Sequence, residues 1–365
     1  MRNTKFRRQC LRQAPVQPDL DPTGGPPSGE ESGVRHWLFM PVSDVARHMA
    51  NGMVNLAVRS FASTHHRPDA EPLFTHGLPG AAIPPTPREI QPSMALLTSR
   101  SVCGRRETNQ DRAIAVQLQF GPDTSVFVIA VADGMGGYEG GALAATLAIT
   151  YFMAALVRMA VQCIQDGIAF DPAAWLRGGF AAANAAIQEH AQARPELAEM
   201  GCTLTACIVT GATAHVASIG DSRASLCRDG RLEHLTRDDS LVQRMVDEGL
   251  INAEEAEHHP LSNVITRSLG AQENVDELSV SRHALQPNDC LLLCSDGFWK
   301  AAEGTAAPIL DAFIHGTPNA RTLEHAAVDL VDAAWRQGSD DNITIALMWY
   351  GNEYPCVFSR QTQRY

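Results

Sequence analysis

From about residue 94 onward the chain alternates between short apolar runs and longer Ala-rich stretches, and the two carry different periods. Residues 94–102, 113–119 and 125–131 are short runs enriched in β-branched residues, which predicts strands. The same pattern recurs at 203–210, 213–219, 223–228, 278–283, 290–295 and 342–350. Asp229-Gly230, set between 223–228 and 231–235, reads as a hairpin turn. Helical spacing of apolar positions predicts helices over 141–162, 171–193, 240–250, 307–314 and 321–337, and Pro172 suits the first turn of the second. Residues 252–261 are polar and read as a surface flap. Strands adjacent in sequence are joined by tight turns, so most pairs should be antiparallel. Two helix pairs are available to cover two sheets. The predicted fold is therefore α+β, a four-layer α/β/β/α sandwich of two mainly antiparallel sheets flanked by helix pairs.

Residues 1–93 lack this periodicity. They hold 13 of the 21 prolines and open with Arg2, Lys5, Arg7, Arg8 and Arg12, a basic tail expected to be solvated. The exception is 43–62: Ser43 can cap a helix, and Val45, Met49, Met53, Leu56 and Phe61 give it a rough apolar face. Residues 65–92 form a proline-rich linker. The expected organisation is an N-terminal extension (1–93, largely disordered, with a short helix at 43–62), a folded domain (94–351) and a C-terminal tail (352–365). Met94, where the strand pattern begins, is also a candidate start of the translated chain.

Charge narrows the function. The net charge is −12, and its placement is uneven: residues 1–93 carry 10 Lys and Arg against 8 Asp and Glu, which leaves −14 for residues 94–365. An acidic domain argues against non-specific nucleic-acid binding. An anionic substrate on such a domain would need a metal to reverse the local field. The nine cysteines show no Cys-x-x-Cys or zinc spacing, and several sit in apolar runs as small hydrophobes, which points to a reduced, cytoplasmic protein. The basic N-terminus lacks the apolar segment of a secretory signal, and no stretch reads as a membrane span.

The chemistry gathers at strand ends. Val126-Phe127-Val128-Ile129-Ala130-Val131-Ala132 runs straight into Asp133-Gly134-Met135-Gly136-Gly137. A carboxylate at the end of a buried strand is held rigidly, and the glycines allow a sharp turn and a close approach. Leu291-Leu292-Leu293-Cys294-Ser295-Asp296-Gly297 repeats the design, and Val216-Ala217-Ser218-Ile219-Gly220-Asp221 is a third version. Asp341 precedes the apolar strand at 342–350. Convergent carboxylates would repel one another unless a hard divalent cation joined them; singly, each also reads as an Asx turn. Arg106 stands five residues ahead of Asp111 in the loop before the first of these strands. It could grip a phosphate through two parallel hydrogen bonds, or form a plain surface ion pair.

Taken together, Arg106…Asn109-Gln110-Asp111, Val131-Ala132-Asp133-Gly134-Met135-Gly136-Gly137, Gly201-Cys202-Thr203, Gly220-Asp221-Ser222-Arg223, Ile265-Thr266-Arg267-Ser268-Leu269-Gly270, Ser295-Asp296-Gly297 and Asp341-Asn342 resemble the metal-dependent protein phosphatases. These are the type 2C serine/threonine phosphatases, here in their compact bacterial form. The resemblance covers roughly residues 96–349. It implies hydrolysis of phosphoserine and phosphothreonine in proteins, with two Mn²⁺ or Mg²⁺ ions per active site in a cleft between two sheets. Asp133 then matches the bridging ligand and Gly134 a carbonyl ligand. Asp296 and Asp341 match ligands of the first ion, Asp111 an acid near the second, and Asp221 a ligand of a weaker third. Arg106 matches the phosphate-binding arginine. The implied chemistry is direct attack by a water activated between two metals. The implied partners are phosphoproteins and a cognate serine/threonine kinase, with the enzyme a monomer.

Departures from the family pattern are Met135 where some members carry a general-acid His, Gln110 and Lys300 where acids are common, and Asp239 where a His is common. They leave the general acid unassigned. The competing reading is a catalytically weak 2C-like scaffold or binding protein.

Overall fold

The computed structural model describes residues 55–57, 95–120, 124–257, 259–271, 275 and 277–351. Strands β1 (Asn55–Ala57), β3 (Arg112–Phe120), β4 (Thr124–Ala132), β7 (Leu204–Thr210), β8 (Thr213–Ile219) and β11 (Ser281–Ala284) form a six-stranded sheet in the order β1-β3-β4-β7-β8-β11. Strands β2 (Ala95–Val102), β9 (Arg223–Arg228), β10 (Arg231–His234), β12 (Cys290–Cys294) and β13 (Ile343–Tyr350) form a second sheet in the order β10-β9-β12-β13-β2. Every pairing in both is antiparallel. A two-stranded ladder joins β5 (Gly134–Met135) to β6 (Gly201–Cys202).

The side-chain period of 2 explains how the layers stack. On β4, Val126, Val128, Ala130 and Ala132 face one apolar cluster, shared with helices α1 (Gly137–Asp166) and α2 (Pro172–Ala193). The alternate residues Phe127, Ile129 and Val131 face a second cluster between the two sheets. On β12, Leu291 and Leu293 enter that central cluster. Cys290, Leu292 and Cys294 face a third, shared with helices α5 (Asp296–His315) and α6 (Ala320–Arg336). Burial on both faces is why these strands read as unbroken apolar runs. The expected α/β/β/α sandwich is the observed one.

Differences from the sequence reading have local causes. α5 starts at Asp296, well before the expected 307, despite Gly297, Gly304 and an internal Pro308. Phe298, Ala302, Ala306 and Leu310 are all buried on one face at four-residue spacing, and their packing outweighs the poor helix formers. The polar flap contains a short helix, α4 (Ala253–Glu257), after α3 (Leu241–Asp247). Within 43–62, where a short helix is expected, the described residues Asn55–Ala57 are instead a strand on the edge of β3. The rest of that segment, the remainder of 1–94 and the tail 352–365 lie outside the described residues. The stretch Glu139–Asp166 is long and apolar enough to cross a membrane by length and composition, which qualifies the expectation of no such segment. In the fold 56% of its most apolar window is buried, with Ala144, Ala148, Phe152 and Leu156 against the sheet.

Candidate active site

Antiparallel pairing decides which strand ends share an edge. Asp133 ends β4, and its antiparallel partner β3 begins just after Asp111. β8 runs in the same direction as β4 and ends just before Gly220-Asp221. In the other sheet β12 ends at Cys294, just before Ser295-Asp296, beside the start of β13 at Ile343, just after Asp341-Asn342. The five aspartates are therefore brought to one edge of the sandwich. A cleft of about 540 Å³ opens there, lined by Asp133, Gly134, Asp221, Asp296, Asp341 and Arg106 among others. Asp111 lies behind it, 2% exposed.

Side chains with no assigned role in the sequence reading hold these acids in place. Ser295 Oγ donates to Asp111 Oδ2 at 2.8 Å and accepts from the Thr344 amide at 3.1 Å, which links the two sheets beneath the cleft. Thr203 Oγ1 accepts from the Asp133 amide at 3.0 Å, and the Thr203 amide donates to the Asp133 carbonyl at 2.8 Å. The Asn342 side chain donates to the carbonyls of Cys103 and Thr108 and accepts from the Gln110 amide at 2.8 Å. It fixes the loop that carries Arg106 against Asp341. Trp299 Nε1 donates to the Asp221 carbonyl at 2.9 Å, and the Arg223 guanidinium lies 3.5 Å from the centre of the Trp299 ring. Arg223 itself is paired with Asp238 and Glu303. Each supporting residue adjoins a motif already noted (Ser295 before Asp296, Asn342 after Asp341), and that adjacency was the available signal.

Two glycines are required by close approach. A Cβ on Gly134 would collide with the Gly141 carbonyl, and one on Gly297 with the Asn342 carbonyl. Both contacts lock a carboxylate-bearing turn against a neighbouring element.

Electrostatically the site is under strain from its own charge. Burial, then the charges of Asp111, Asp296, Asp221 and Asp341, push the Asp133 carboxyl well above the usual carboxylate range. Asp111 is raised to about 6, by burial first and against the pull of hydrogen bonds from Thr344 and Ser295. Asp221 is raised to about 7 by burial and by Asp296, with Lys300 opposing. Asp341 is raised by burial and by Asp296, with the Asn342 amide and Arg106 opposing. Two cations balance part of this field. Arg106 Nη2 donates to Asp341 Oδ2 at 2.9 Å, and Lys300 Nζ donates to Asp296 Oδ2 at 2.6 Å. Among the described residues no three His, Cys, Asp or Glu side chains form a closed chelate in this conformation. The donor set nonetheless fits hard divalent cations: all oxygen, mutually repelling, mounted on rigid strand ends, and open to one cleft.

The departures from the family pattern fall in or near the same place. Met135 and Gln110 line the cleft, and Gln110 Nε2 donates to the Gly137 carbonyl at 2.7 Å. Asp239 accepts from the Gly220 amide at 3.1 Å, next to Asp221.

The fold and site define a two-sheet sandwich with an oxygen-ligand cleft at its strand ends. Residues 100–335 match the family model described as Protein phosphatase 2C, and the chain belongs to that family. It is 37% identical over 220 residues to the serine/threonine protein phosphatase PstP of Mycobacterium tuberculosis, an alignment that covers 60% of this chain and 40% of that one. It thus spans well under half the length of that relative. The crystal structure of the Mycobacterium tuberculosis serine/threonine phosphatase PstP/Ppp superposes with a TM-score of 0.59 at 33% identity, covering 71% of this chain and 99% of that one. A structure of the PstP catalytic domain in complex with two manganese ions gives 0.56 at 32% identity, with the same 71% and 99% coverage.

Proposed function

We propose that this chain hydrolyses phosphoserine and phosphothreonine in proteins and depends on Mn²⁺ or Mg²⁺ to do so. The observation that carries the reading is the convergence of four strand-end aspartates, Asp133, Asp221, Asp296 and Asp341, on one cleft that Arg106 also lines, with Asp111 buried behind it. Asp133, Asp296, Asp341 and the Gly134 carbonyl would hold two ions, with Asp111 behind them and Asp221 in the same cleft. When bound, such ions neutralise phosphate oxygens and acidify a water. Arg106 binds the substrate phosphate. Its guanidinium is exposed, and its fork is turned to Asp341 and to the Asp340 carbonyl, so it can exchange those acceptors for phosphate oxygens without leaving the cleft. Thr203, Ser295 and Asn342 keep the carboxylates oriented, which lowers the cost of arranging them around a transition state. Two manganese ions in the PstP catalytic domain support the metal requirement.

In the same reading the enzyme acts as a monomer in the cytoplasm and opposes a serine/threonine kinase. The seven described cysteines are all free thiols, in keeping with a reducing compartment.

A scaffold reading has one observation in its favour. Asp296 and Asp341 are already paired with Lys300 and Arg106 rather than arranged as a chelate. Phosphate release from a phosphothreonine peptide, measured with Mn²⁺ and with excess EDTA, decides between them. Turnover that requires Mn²⁺ supports the phosphatase. No turnover at any Mn²⁺ concentration supports the scaffold, and full turnover in EDTA contradicts the metal requirement.

A further inference from the structure

Lys300 is a charged group of the cleft for which the reaction above has no use. It lies on α5 one turn after Asp296, so the helix itself holds the two side chains together. Its Nζ donates to Asp296 Oδ2 at 2.6 Å and to Asn263 Oδ1 at 2.7 Å. Asn263 lies just past the polar 252–261 stretch, in the segment 252–264 (the flap) between α3 and Ile265, and both Asn263 and Ile265 line the cleft. The ammonium also feels Asp221 and Asp133, whose charges, together with Asp296, outweigh burial and hold it protonated. The Trp299 ring, which braces the Asp221 carbonyl, is 5.2 Å from Nζ.

These contacts give one ammonium two jobs. The flap is otherwise tied down at its base by backbone bonds, Leu241 N to the Val264 carbonyl at 2.8 Å and Thr266 N to the Asp239 carbonyl at 2.7 Å. Through Asn263, Lys300 adds a tie from the flap to the catalytic edge. At the same time it places a positive charge on Asp296, within electrostatic reach of Asp221, and these two would otherwise present carboxylates to a small cation. Lysine suits this role because its charge is compact and carries three donors on a flexible stem.

We propose that Lys300 is a positioning residue: a covalently attached cation that fixes the 252–264 flap to the acidic cleft through Asn263 and stands where a further divalent ion would sit between Asp221 and Asp296. The second half rests on the reading of Asp221 and Asp296 as cation ligands; the first half does not.

Two variants of the full chain separate the parts. Lys300→Met removes the charge and the tie, whereas Asn263→Leu removes the tie and keeps the charge on Asp296. Hydrogen–deuterium exchange of the 252–266 segment is measured in EDTA-treated protein. It should quicken about fivefold in both variants, the size expected for one charge-assisted hydrogen bond to a partly exposed group. Mn²⁺ bound per chain is counted by equilibrium dialysis. Lys300→Met should bind one ion more than the wild type, and Asn263→Leu the same number as the wild type. Unchanged exchange in both variants overturns the tie. Equal ion counts in the wild type and Lys300→Met overturn the cation replacement. A wild type that binds no Mn²⁺ would instead overturn the phosphatase reading, and the exchange result would still decide the tie.

Discussion

Arg223 connects the cleft to the body of the second sheet, and its removal has a calculable cost. Its side chain is only 20% exposed, and it pairs with Asp238 at 2.8 Å and Glu303 at 3.1 Å while its guanidinium covers Trp299. Replacing it with Met keeps most of the volume but leaves two carboxylates without their cation. For a fully buried pair that costs roughly 3–5 kcal/mol, and the partial exposure of Glu303 reduces it to about 2 kcal/mol. The stacked cation adds about 1 kcal/mol. A total of about 3 kcal/mol in a domain of this size lowers Tm by roughly 6–12 °C. Differential scanning fluorimetry in EDTA reads this directly. The triple variant Arg223→Met, Asp238→Asn, Glu303→Gln should recover more than half of the loss, because no charge is then left unpaired. A single variant within about 2 °C of the wild type would refute the claim that Arg223 braces Trp299 and, through it, Asp221.

Arg106→Ala should raise KM for a phosphopeptide about tenfold with kcat reduced less, since phosphate grip is lost while the carboxylates stay in place; steady-state kinetics with an unchanged KM would remove Arg106 from the binding role. In metal-free protein, Asp221 and Asp111 are held at about 7 and about 6 against an ordinary 3.8, so the folded state binds more protons than the unfolded state between those values. Stability should therefore fall as pH rises from about 4 to 7, by a few kcal/mol in all, and Tm in EDTA should be higher at pH 5 than at pH 7.5; a Tm that climbs across this window contradicts it. A chain beginning at Met94 loses only the three-residue edge strand β1 from the described fold. It should keep its kcat with a modest loss of Tm, and failure to yield soluble protein would show that the domain needs the extension in order to fold.

The layer order and the acidic edge were legible because a strand buried on both faces leaves an unbroken apolar run, and such a run ending in Asp-Gly marks its own terminus. Asp133 and Asp296 were visible for that reason, and Asp221 through the same pattern with Gly220 before it. Contacts between distant segments left no such mark. Ser295 meets Asp111 across 184 positions, and Asn342 meets Thr108 across 234. Neither pairing alters a local period. The β5–β6 ladder has two residues per strand, below what alternation can register. The start of α5 was hidden because Gly297 is needed for a backbone approach rather than for helix propensity. Lys300 was noticed only as a departure from pattern; its tie to Asn263 depends on how an aperiodic flap lies over the cleft.

The central claim is that the strand-end aspartates form a divalent-cation centre. Crystals of the full chain soaked in MnCl₂ and measured at the manganese absorption edge test it without recourse to activity. The account predicts two strong anomalous peaks within the cleft, against Asp133, Asp296, Asp341 and the Gly134 carbonyl, and their loss in Asp133→Asn. Peaks elsewhere, or an empty cleft at millimolar Mn²⁺ with the Lys300–Asp296 and Arg106–Asp341 pairs intact, would contradict it.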